Sequence, residues 1–161
     1  MKITKDNVVQ LSAGLGAVAG MRASIAPAIA SHYLSKSPKK ALAKSKLSFM
    51  QSPTTAAVTK VLGGAEFVAD KMPGAPNRII FAQILPRVLS GALVGAAIYQ
   101  AGKKNATEGM LIGGASALAA TYASFYVRKL LSKIPYLKDP VLGAVEDVMA
   151  VRSGTSLFKA S

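Results

Sequence analysis

Residues 8–34 read VVQLSAGLGAVAGMRASIAPAIASHYL, an apolar run with Arg22 near its middle. A membrane helix needs about 20 mostly apolar residues, so the run is long enough to cross a bilayer. An arginine at that depth costs roughly 2.5–3.5 kcal/mol on insertion scales. It therefore demands a partner, a water-filled cavity or a route to the headgroups. Arg87 repeats the situation inside a second apolar stretch. If residues 8–34 are a membrane helix, the chain is a membrane bundle with buried charge to satisfy.

The composition points the same way. Of 161 residues, 51% are hydrophobic and 17% charged, with mean hydropathy +0.35. That charged fraction is well below the quarter usual in soluble domains. Alanine and glycine dominate the apolar set, which suits helices whose backbones approach closely in lipid. A compact soluble helical protein is the competing reading. By length the chain is one domain, residues 1–161. Without cysteine it has no disulfides and no thiolate metal sites. His32 is the only histidine. No metal and no cofactor is expected. Lys2, Lys5 and the Ala28-Ile29-Ala30 triplet imitate a secretory signal. The apolar run is too long for that and Arg22 interrupts it, so it reads as a first membrane helix.

Three segments have membrane-helix length: 8–34, 79–100 and 109–127. Each carries a small-xxx-small pair, Gly16 with Gly20, Gly91 with Gly95, and Gly109 with Gly113. Such pairs allow tight helix contacts, within the chain or between copies in a homo-oligomer. Pro27 and Pro86 fall inside spans, where a kink frees a backbone carbonyl near each arginine.

Two shorter helices begin with a cap followed by proline, at Ser52-Pro53 and Asp139-Pro140. The first has an apolar stripe through Val58, Val61, Leu62, Ala65, Val68, Ala69 and Met72. Glu66 and Asp70 lie on another face. The second has its stripe through Val141, Leu142, Val145, Val148 and Met149, with Glu146 on the other face. The segment Val61-Leu62-Gly63-Gly64-Ala65-Glu66 aligns without a gap on Val141-Leu142-Gly143-Ala144-Val145-Glu146. The longer helices before them align more weakly. Two repeat units, 7–73 and 107–153, would then flank a central helix at 79–100. The expected architecture is an all-α integral membrane bundle of three long and two shorter helices, with an inverted repeat as one organisation.

The net charge is +13. Lys36, Lys39, Lys40, Lys44 and Lys46 follow the first span; Arg128, Lys129, Lys133 and Lys138 follow the last. Such placement suits the positive-inside rule and contact with anionic lipid headgroups. No nucleic-acid motif is present and aromatics are not interleaved with the bases, so nucleic acid is disfavoured as a partner. Charge bias favours three spans; an inverted repeat favours five.

Arg22, Glu66, Asp70, Arg87, Glu146 and Asp147 make the sharpest constellation, a candidate polar seam inside the bundle. Glu66 and Asp70 are one helical turn apart and repel unless a cation lies nearby, which Arg22 or Arg87 can supply. Buried pairs of this kind can fix helix register. Intramembrane ionisable groups also mark ion, proton or solute pathways. No catalytic motif accompanies them, so an enzyme is not expected.

Gly20-Met21-Arg22-Ala23-Ser24, the segment from Glu66 through Asp70-Lys71-Met72-Pro73, and Gly143-Ala144-Val145-Glu146-Asp147 resemble the motifs of an uncharacterised bacterial family, the domain of unknown function 4126 family. The resemblance runs from about Leu11 to Gly154. It implies a small multi-pass membrane protein, in bacteria one of the inner membrane, and it implies no activity. Two functions follow as expectations. One is a small transporter or channel for an ion or small polar solute. The other is a non-transporting scaffold or accessory subunit that binds anionic lipid or a protein partner.

Overall fold

The computed structural model describes residues 3–4, 7–69, 80–131 and 139–159. Among these residues the regular structure is all helical. The order is α1 (Val8–Met21), α2 (Ile25–Lys36), the single turn α3 (Lys40–Ala43), a 3-10 turn (Ser48–Gln51), α4 (Pro53–Ala69), α5 (Phe81–Ala101), α6 (Ala106–Leu131) and α7 (Asp139–Lys159).

Residues 8–34 do not form the single helix expected of them. α1 stops at Met21, Arg22 is extended (φ −142, ψ 113), and α2 starts at Ile25. Proline supplies the reason. In a continuous helix Pro27 would have to donate to the Ala23 carbonyl, which it cannot do. Restarting the helix at Ile25 moves Pro27 into a first turn, where backbone N–H groups have no helical acceptor anyway.

α4 begins as its sequence predicts. Pro53 is its first residue, and Ser52 Oγ accepts the Thr54 N–H at 3.3 Å. The second helix expected to be short is not: α7 has 21 residues, as many as α5. Among the described residues two helices, α5 and α6, are long and apolar enough to cross a membrane, and α1 is a shorter apolar helix.

The core is the contact of α1, α5 and α6. Gly16 and Gly20 of α1, Gly91 and Gly95 of α5, and Gly109 and Gly113 of α6 face one another. A Cβ on any of them would fall closer than 3.0 Å to a backbone oxygen of a neighbouring helix. The absence of side chains is what lets these backbones touch. All three glycine pairs are therefore buried within the chain, and a contact between copies would have to use other faces. Leu11, Leu15, Val18, Val94, Ile98 and Tyr99 fill the space around them.

The other helices wrap this trio. α4 packs on α2, and α7 lies along α1 and α2. Tyr33 of α2 stacks on Phe158 of α7 with ring centroids 4.5 Å apart. α5 turns into α6 through Gly102–Asn105. There Lys104 N–H reaches the Tyr99 carbonyl at 2.9 Å and Lys103 N–H the Gln100 carbonyl at 3.1 Å. This is a Schellman turn, and its left-handed position holds Lys103 (φ 60) where glycine is usual.

Candidate functional site

Breaking a helix inside a packed bundle strands backbone groups, and each stranded group costs about 1–3 kcal/mol if left unmet. At residues 20–24 the described helices meet that cost with side chains. In an unbroken helix Ala23 and Ser24 would donate to the carbonyls of residues 19 and 20. Instead Glu66 of α4 takes both: Oε1 accepts from Ala23 N–H at 3.0 Å and Oε2 from Ser24 N–H at 2.8 Å. A carboxylate at the N-terminus of α2 also complements the positive end of the helix dipole.

The opposite end is matched by opposite charge. The Gly20 carbonyl near the C-terminus of α1 accepts from Arg87 Nη1 of α5 at 3.4 Å and from Thr121 Oγ1 of α6 at 3.1 Å. The Ala23 carbonyl, which Pro27 cannot serve, accepts a short hydrogen bond from Ser90 Oγ of α5. Arg22 points to α7, where its Nη2 lies 2.6 Å from Asp147 Oδ1. Arg22 is 1% exposed and Arg87 2%. α4, α5, α6 and α7 thus each send at least one polar side chain to a single break.

Of the six residues of the sequence-predicted seam, four gather here: Arg22, Glu66, Arg87 and Asp147. Their pairing differs from the simplest expectation. Glu66 meets backbone N–H groups, and the carboxylate on Arg22 comes from α7. Glu146 lies beside the site rather than on the break; its Oε2 is 3.4 Å from Arg128 Nη1. Arg128, expected against lipid headgroups, is therefore bound at least in part to α7. Asp70 lies outside the described residues, as do Lys133 and Lys138.

Among the other expected lipid-contacting bases, Lys36, Lys40, Lys44, Lys46 and Lys129 are exposed, and Lys39 is half-buried. Sequence reasoning missed Ser90 and Thr121. The signal available was their type: a hydroxyl inside an apolar span commonly bonds a neighbouring helix. Among the described residues no group of three or more histidines and carboxylates is placed to hold a metal ion.

A family model matches residues 9–159, nearly the whole chain. The chain belongs to the family described as Domain of unknown function (DUF4126). Comparison with curated proteins and with solved structures gave no match. The matched span takes in the break and every side chain that meets it, so the site is part of the DUF4126 domain rather than an appendage to it.

Proposed function

We propose that the protein is a multi-pass membrane protein of a bacterial inner membrane, acting as a non-transporting scaffold or accessory subunit. Its charged seam locks a broken helix, and its exposed basic loops hold anionic lipid or a protein partner. The observation that carries this reading is the matching of charge at the break. An acid meets the helix start, an arginine and a hydroxyl meet the helix end, and Arg22 meets Asp147. Irregular backbone at membrane depth is tolerated where protein buries it, as here. Exposed apolar side chains on the outer faces, including Phe81, Leu89, Leu111, Leu118 and Leu130, suit a lipid surround.

One observation favours a second reading, passage of an ion or small polar solute. Ser90 lies near the midpoint of α5 and Thr121 near that of α6, so the break is at mid-depth if those helices span. Discontinuous helices at the midplane are where many transporters bind their cargo.

Flux separates the two. Wild type and Glu66→Gln, reconstituted in liposomes, are screened for ion and small-solute flux alongside thermal stability. The lock reading expects no flux above empty liposomes and a less stable Glu66→Gln. Wild-type flux that Glu66→Gln abolishes at unchanged stability would overturn it in favour of passage.

A further inference from the structure

Away from the break, α2, α4 and α7 leave between them a groove of about 370 Å³. Ile25, Ile29, Gly63, Gly64 and Val151 line it, as do His32 and Lys60. Lys60 Nζ lies 3.0 Å from His32 Nδ1. An ammonium has only donors, so Nδ1 accepts and the neutral imidazole carries its proton on Nε2. The bond holds the ammonium against the ring and leaves its other hydrogens for an anion. Lys36, one turn beyond His32 on the same helix face, adds a second exposed positive charge.

The groove has a direction. Ser24, Glu66 and Asp147 mark the break on its three helices, and His32, Lys60 and Thr155 lie farther along the same helices. His32 is eight residues past Ser24, or about 12 Å at the helical rise. Half the hydrocarbon thickness of a bilayer is about 15 Å. With the break at mid-depth, the cationic pair comes to headgroup level while Ile25 lies toward the bilayer centre. An apolar trough ending in a cationic head at the interface is the complement of one class of molecule.

We propose that this groove binds one acyl chain of an anionic phospholipid, its phosphate held by the Lys60 ammonium that His32 positions. The inference rests on the membrane placement above. It is more specific than attraction of lipid to the basic loops, because it requires both a chain in the trough and a charge at its end.

The test uses full-length protein in a neutral detergent, titrated with phosphatidylglycerol or phosphatidylcholine and read by native mass spectrometry. One phosphatidylglycerol per chain is expected, bound about fivefold or more tighter than phosphatidylcholine, as a basic contact near the headgroup predicts. Lys60→Gln should remove that preference. Gly64→Leu should weaken binding of either lipid at least about tenfold by filling the trough with its own methylenes. A Cβ at Gly64 meets nothing within 4 Å, so this variant is expected to fold. Lys103→Gln, exposed in the α5–α6 turn and outside both the groove and the lipid-contacting bases, should bind as wild type does.

Equal binding of the two lipids, or phosphatidylglycerol binding that survives Gly64→Leu and Lys60→Gln alike, would overturn the groove. Membrane placement is read separately, by whether the protein stays with cell membranes after alkaline carbonate extraction. Retention there with no groove binding would sink the lipid site alone.

Discussion

Arg22, at the break in the first apolar stretch, and Asp147, on the last helix, form a buried ion pair with Nη2 and Oδ1 2.6 Å apart. The pair ties α7 to the junction of α1 and α2. Its place at the break decides how the seam is to be understood. A charge that expensive to bury is held where the helix is already open. There its partner, and the carboxylate of Glu66 one residue on, help to stabilise an otherwise costly backbone conformation.

Glu66 should be more sensitive than its half-buried position suggests. Glu66→Ala leaves the Ala23 and Ser24 N–H groups without an acceptor and is expected to cost about 2–4 kcal/mol. Glu66→Gln keeps one acceptor oxygen but loses the charge at the α2 terminus, and about 1–2 kcal/mol is expected. Denaturation in mixed micelles checks the order, wild type over Gln over Ala. Faster amide exchange at Ser24 in both variants would place the damage at the break.

The glycines separate close backbone approach from mere composition. Gly95→Ala puts a methyl against the Gly109 carbonyl, and α5 and α6 must move apart, at a cost of about 1–3 kcal/mol. Gly64→Ala meets open space inside α4 and should stabilise by about 0.5–1 kcal/mol through helix propensity. Thermal melts of the two variants should therefore move in opposite directions.

Lys103 occupies a left-handed position that most side chains avoid (φ 60). Lys103→Gly should raise stability by about 1 kcal/mol, because glycine adopts that conformation without steric cost. A melting temperature unchanged or lowered in this variant would argue against the Schellman turn between α5 and α6.

What the sequence could reveal divided along a physical line. The glycine pairs were legible because close backbone approach imposes a residue type at a fixed spacing. Cap-then-proline at Ser52-Pro53 was legible because it is local chemistry. The break was not, because residues 8–34 are apolar on both sides of it and hydropathy cannot see a dihedral change. Ser24 ahead of Ile25-Ala26-Pro27 was the available signal, a polar residue and then a proline in the first turn. Four of the charged residues at the break, Arg22, Glu66, Arg87 and Asp147, stood out by charge in apolar surroundings, but their partners did not. Which carboxylate meets Arg22 depends on how α4 and α7 are set around α1 and α2, and spacing along the chain does not encode that.

The central claim is that the buried charges lock the break, and a double-mutant cycle on Arg22 and Asp147 tests it most directly. Arg22→Met and Asp147→Leu should each cost about 3–5 kcal/mol, since each removes one partner of an ion pair held largely out of water. The double variant should cost less than the sum of the singles, by a coupling of about 2–3 kcal/mol when unfolding is measured under one set of conditions. Single variants that unfold like wild type, or a double variant as unstable as the sum of the singles, would contradict the account.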